Sequence, residues 1–109
     1  MRTILLALLF LTSAPKPVTI KVNKTVLYPG DTLVVTCSVP RHEDNRKVEG
    51  VLADYTSSEH QLDGEAAAIT HRFEFKKIPP DVEIAGCRLT DKYGRQSTAL
   101  QQIQVVVIQ

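Results

Sequence analysis

Cys37 and Cys87 are the two cysteines of this 109-residue chain, 50 positions apart, each inside a short run of β-type residues. Their spacing is unlike the Cys-x-x-Cys of redox enzymes, so the chemistry expected of them is a structural disulfide. A bridge between them would pin two sheets of a sandwich face to face, and such bridges persist in oxidising compartments. Closing a loop of this length adds about 4 kcal/mol in the chain-entropy model. That is a large share of the roughly 5–15 kcal/mol that keeps a domain folded.

The other reactive residue types form weaker constellations. His42, His60 and His71 are the histidines, with no HxH or HxxxH spacing among them. A metal site needs three or four converging ligands, so they read as surface residues, and no metal or cofactor is expected. Met1 is the one methionine, which argues against a copper carrier built on clustered Met and His. Ser57-Ser58-Glu59-His60 lines up a nucleophile, an acid and a base, but within a polar loop and without a Gly-x-Ser-x-Gly elbow. No catalysis is expected. Asn23-Lys24-Thr25 is a glycosylation sequon, meaningful in a secreted eukaryotic protein. Tyr55 and Tyr93 are candidate exposed contacts, since Tyr is favoured at interfaces; packing in a core or turn is the competing reading.

Thirteen Lys+Arg against twelve Asp+Glu leave a net charge of +1 with no basic stripe. A nucleic-acid reader would show one, because neutralising phosphates supplies much of its affinity. Hydrophobic residues at 43% suffice for a core, and with aromatics at 6% and no Trp that core must be mainly aliphatic. At the N-terminus Arg2 precedes an apolar run over Thr3–Leu11 and a small-residue exit at Thr12-Ser13-Ala14. This is the order of a secretory signal peptide over residues 1–14. About nine apolar residues make roughly 14 Å of helix, too short for a bilayer core of about 30 Å, so no stable membrane span is expected. Pro15 directly after Ala14 is a poor cleavage context, and the alternative is a retained hydrophobic arm packed on a neighbour.

Residues 17–109 form one domain of half-buried strands with period two. Val18, Ile20 and Val22 alternate with polar residues. Tyr28-Pro29-Gly30-Asp31 makes a turn, and Leu33, Val35, Cys37 and Val39 then share one face. Lys47–Tyr55 is a weaker strand, with Val51, Ala53 and Tyr55 expected inward. Thr56–Glu65 reads as a polar connection with a tight turn at Asp63-Gly64. Ile69, His71, Phe73 and Phe75 give the clearest alternation. Val82–Leu89 carries Cys87, Asp91-Lys92-Tyr93-Gly94 turns, and Ala99, Ile103, Val105 and Val107 share a face of the last strand. Val105–Ile108 is apolar on both faces, as a central strand or a partner-seeking edge would be. The strand spacing predicts an all-β antiparallel sandwich of about seven strands with one inter-sheet disulfide.

Cys37 on its strand, Pro80-Asp81 six residues before Cys87, and the run Cys87-Arg88-Leu89-Thr90-Asp91-Lys92-Tyr93-Gly94 together resemble the immunoglobulin-like superfamily, in its divergent secreted bacterial or phage form. The resemblance implies that the cysteines lie on the family's strands B and F. The chain departs from the pattern at three places. The strand-C Trp is replaced by aliphatics over Val48–Leu52, the tyrosine-corner position is Ala85, and the parity of Glu83 predicts a bulge near Gly86. The function expected on such a scaffold is an exported, non-catalytic binding or adhesion module for a protein or surface glycan. Recognition falls to loops, and the candidate contacts are Arg41, Glu43, Asp44, Arg46, Glu59, Asp63, Lys92, Tyr93 and Arg95. A secreted or periplasmic location follows. The alternatives are a phage virion accessory on a particle surface, or a secreted protease inhibitor, to which five non-adjacent glycines lend little.

Overall fold

The computed structural model describes residues 17–53 and 56–107. The expected leader, Tyr55 and Ile108 lie outside the described residues. The elements are β1 (Thr19–Val22), β2 (Val26–Leu27), β3 (Thr32–Val39), β4 (Asn45–Leu52), β5 (Thr56–Gln61), β6 (Ala67–Glu74), a 3-10 turn (Phe75–Lys77), β7 (Ile84–Asp91), β8 (Gln96–Gln102) and β9 (Gln104–Val105). Strands β1-β3-β6 form one antiparallel sheet and β5-β4-β7-β8 the other, while β2 and β9 make a short parallel pair. The architecture is the all-β sandwich that the strand spacing predicts.

β3 shows why these residues form strands. Its β-branched valines and threonines suit a pleated, half-buried surface, and Leu33, Val35, Cys37 and Val39 are buried in strict alternation. The turn before it is held twice. Asp31 N–H donates to the Tyr28 carbonyl at 2.9 Å, and Tyr28 N–H donates to Asp31 Oδ2 at 2.8 Å. Gly30, at φ +95°, takes a backbone shape that side chains resist. Against β3 pack Val48 and Leu52 of β4, Phe73 of β6, and Ala85, Cys87 and Leu89 of β7, with Leu27, Ile78, Val82 and Ile103 closing the cluster. Each buried Leu or Val contributes about 1.5–3 kcal/mol. Cys37 and Cys87 are bonded, joining β3 of one sheet to β7 of the other at a Cα–Cα distance of 5.7 Å.

Four expectations need correction. On β4 the inward residues are Val48, Gly50 and Leu52, whereas Val51 is half-buried and Ala53 exposed. The true alternation is hidden because its middle member, Gly50, carries no side chain. β7 pairs regularly with β8 from Ile84 to Thr90 and with β4 from Ala85 to Thr90, and the irregularity lies on β4 between Asn45 and Lys47, not near Gly86. Thr56–Gln61 is a strand: it takes six successive partners on β4, from Lys47↔Gln61 to Leu52↔Thr56, as an edge whose side chains at 57–61 stay exposed. It therefore shows no hydrophobic alternation. Val105 is half-buried and Val107 is 53% exposed, because the chain here leaves the sheet to run beside β2. Neither is a member of a covered central strand.

His71 is the largest surprise. It is 3% exposed, on the core face of β6 opposite Val35, and not on the surface. Its ring lies on the backbone of Gly50 in the opposing sheet, where a Cβ would stand 2.5 Å from His71 Cγ and 2.6 Å from Cδ2. In the expected family, an aromatic from the strand-C region fills the space beside the bridge. Here a ring from the other sheet occupies a niche that a glycine leaves open.

Replacing Cys37 and Cys87 together by Ser is expected to cost about 4 kcal/mol in urea denaturation; an unchanged midpoint contradicts a structural role for the bridge. Gly50→Ala is expected to cost about 1–3 kcal/mol by overpacking against His71. The double variant with His71→Ala should recover part of that loss in a mutant cycle.

Candidate functional site

The loops expected to make contacts meet at one end of the sandwich. Lys92 N–H donates to the Asp44 carbonyl at 2.8 Å, tying the turn after β7 to the loop before β4. His42 N–H donates to the Gly64 carbonyl at 3.2 Å, Gly64 N–H to the Asn45 carbonyl at 3.3 Å, and Leu62 N–H to the Arg46 carbonyl at 2.7 Å. Three connections far apart in sequence are thereby laced through their backbones. Asn45, fully buried, anchors the first of them by donating from Nδ2 to the Pro40 carbonyl at 2.8 Å.

The turn over Asp91–Arg95 is built around one carboxylate. Asp91 Oδ1 accepts from the N–H groups of Tyr93 and Arg95, both at 2.9 Å, and Oδ2 from Arg95 Nε at 2.8 Å. Its side chain is wholly buried. Burial alone would push its pKa up, but the Arg95 and Tyr93 N–H groups and the Arg95 guanidinium outweigh burial and hold it below the ordinary carboxylate value. Gly94, at φ +80°, closes the turn by donating to the Asp91 carbonyl at 3.0 Å.

Charges pair across the loops. Asp44 lies 3.2 Å from Lys92 Nζ and 3.9 Å from Arg95 Nη2, and it holds Lys92 above its usual pKa, chiefly through the hydrogen bond between them. The Arg95 guanidinium stands 4.9 Å and Lys92 Nζ 5.2 Å from the Tyr93 ring centre, within cation–π range. Tyr93 itself is 65% exposed. A rigid turn thus presents a large amphipathic side chain to solvent, at a low entropy cost to any partner.

The other candidate contacts divide. Arg41, Glu43 and Asp63 are exposed on the joined loops, and Arg46 is half-buried there, with Nη1 donating to the carbonyls of Glu43 and Asn45. Glu59 is elsewhere. It lies on β5 opposite Glu49, bonded to Lys47 at 3.1 Å, while Glu49 pairs with Arg88 at 3.1 Å on the outer face of the four-stranded sheet. The Ser57-Ser58-Glu59-His60 run is split by the strand: Ser57 and Glu59 oppose Val51 and Glu49, whereas Ser58 and His60 oppose Gly50 and Val48. His42 accepts from Asp44 N–H through Nδ1 at 3.1 Å. Asn23 spends its amide on β3, donating from Nδ2 to the Thr32 carbonyl at 2.9 Å and accepting from Val34 N–H at 2.8 Å, so the sequon side chain extends the sheet.

One feature of the outer sheet face goes unnoticed in the sequence. Leu100 is 62% exposed and meets Val51 over Gly86, with Ile84 beside them. The signal was its parity, opposite to that of Ala99.

Among the described residues no three His, Cys, Asp or Glu side chains group as metal ligands, and no helix is long and apolar enough to cross a membrane. No family model matches the sequence, and no curated protein matches it. The fold is similar to solved structures. One is the sulfur carrier protein SoxY from Chlorobium limicola f thiosulfatophilum, 14% identical, with a TM-score of 0.62 over 96% of each chain. Another is the superoxide reductase neelaredoxin from Ignicoccus hospitalis, 12% identical, with a TM-score of 0.58 over 83% of this chain and 80% of that one. At such identities the likeness concerns fold alone, an all-β sandwich.

Asp91→Ala is expected to cost about 3 kcal/mol, the worth of its charged hydrogen bonds, and to disorder the Tyr93 turn in NMR relaxation. The Asp91 contribution is present above the unfolded value of 3.8 and fades as pH falls through the lower folded value. Acid titration of stability should therefore flatten below about pH 4 in Asp91→Asn.

Proposed function

We propose that the protein is an exported, non-catalytic binding module that recognises a protein or surface glycan through the loop end of its sandwich. The observation that carries this reading is the exposed Tyr93 on a turn whose backbone is locked by Asp91 and laced to two other loops. Binding energy concentrates in a few Tyr, Trp and Arg side chains set among near-neutral neighbours. Tyr93, flanked by Arg95 and Lys92, has that composition, with Arg41 exposed on the adjoining loop. Export is supported by the disulfide, which an oxidising compartment preserves, and by the signal-like leader.

Sulfur carriage, named for one structural neighbour, needs a thiol or thiolate to hold the sulfur. In this chain both cysteines are bonded to each other, so that chemistry does not support a parallel reading.

The test is binding of the purified, oxidised chain to glycan arrays and to cell or particle surfaces, with variants at both ends of the sandwich. Tyr93→Ala is expected to weaken binding at least tenfold while leaving the melting temperature unchanged, as hot-spot truncations do. Lys76→Ala, at the opposite end, should bind as the parent does. Equal binding by both variants would remove the loop end from the reading.

A further inference from the structure

His71 carries an inference that the loop end does not use. Its Nε2 is buried and has no hydrogen-bond partner. A neutral imidazole tolerates this, because one of its nitrogens can remain a bare acceptor; an imidazolium has two N–H donors and a full charge to satisfy. Among the described residues no hydrogen bond reaches Nε2, and no carboxylate acts on the ring. Val35 of β3 is its register partner and Gly50 of β4 its contact across the core, and the core of these strands is the apolar cluster of Leu33, Cys37, Val48, Leu52, Ala85, Cys87 and Leu89. On β6 itself Arg72 and Glu74 alternate to the exposed face, and on β5 Glu59 faces away with Lys47. Among the described residues the titratable group that acts on it is His60, opposite Val48. Once protonated it repels a second cation. Towards β4 the ring has no further room, because its atoms rest directly on Gly50.

We propose that His71 is an acid-sensitive latch between the two sheets: neutral, it fills the Gly50 niche and holds β6 against β4, and its protonation releases that side of the sandwich. Burial first, and His60 second, hold its pKa below the ordinary 6.5. The sign follows from linkage. The unfolded or opened chain takes up the proton more readily, so the stabilisation is complete above about pH 6.5 and is lost as pH falls towards the folded value. The buried carboxylate Asp91 acts only in a lower window, below its unfolded value of 3.8. The Cys37–Cys87 bond keeps β3 and β7 joined throughout, so opening is confined to the β5–β6 flank.

The experiment measures folding stability of the oxidised full chain by denaturant titration from about pH 7.5 to about pH 5, with NMR following the His71 imidazole. The folding equilibrium constant should fall by up to tenfold per pH unit below about 6.5. His60→Gln should keep most of that fall, and His71→Gln should abolish it. Should His71→Gln fail to fold, hydrogen exchange in the parent decides. Amides of β5 and β6 should lose protection at the lower pH before those of β7 and β8, after correction for intrinsic rates. Flat stability across the range, a His71 titrating at or above 6.5, or a folded His71→Gln with the parental slope would each overturn the latch.

Discussion

The two sheets are pinched together at one point, and the rest of the molecule accommodates that pinch. Packed sheets ordinarily stand about 10 Å apart, yet the Cys37 and Cys87 Cα atoms are 5.7 Å apart. Side chains flanking such a contact must be small or must come from one side only. Gly50, the β4 partner of Cys87, carries none, and His71 reaches across to use the space. The bridge, the glycine and the imidazole are thus one packing solution. It replaces the bulky aromatic that a larger core would place there, in a chain with no Trp.

From this clasp the strands run outward to the loop end, and the properties of that end follow from theirs. β7 leaves the bridge in regular pairing as far as Thr90 and delivers Asp91, still buried, to the start of its turn. An inward carboxylate cannot stay without donors, so the turn folds around it and points Tyr93 outward. β4 enters the same end through the irregularity between Asn45 and Lys47, which lets Asn45 and Arg46 bind the carbonyls of their own loop. The loop end is held in place largely by the hydrogen bonds of Asp91 and of the Asn45 amide. Away from that end His71 Nε2 is buried without a hydrogen-bond partner, as Asn45 Oδ1 and Thr90 Oγ1 are at the loop end itself. One end of the domain is stiffened by buried polarity, while its flank is made sensitive to protons.

Much of the fold was legible from local pattern. β3 and β6 alternate cleanly, and the turns at Tyr28–Asp31 and Asp91–Gly94 form where Gly and Asp stand. Where the pattern failed, the missing information was not local. Thr56–Gln61 is a strand because β4 offers it hydrogen bonds, with little burial to mark it. The inward set of β4 escapes a local pattern because Gly50 counts as neither apolar nor polar. His71 stood in an alternation with Ile69 and Phe73 that already placed it inward. Only the usual preference of imidazole for water argued otherwise, and the niche across the core overrules that preference.

The sequence by itself determined the turns, the faces of the regular strands and the two sulfurs available for bonding, because these depend on near neighbours and on residue type. Tertiary structure decided which loops touch, that Glu59 belongs to a sheet face and not to a loop, and that a histidine from one sheet rests on a glycine of the other. Those outcomes depend on distances between segments remote along the chain. Such distances exist only after the sheets have packed, when every buried group must share one fixed volume with partners that no local window contains.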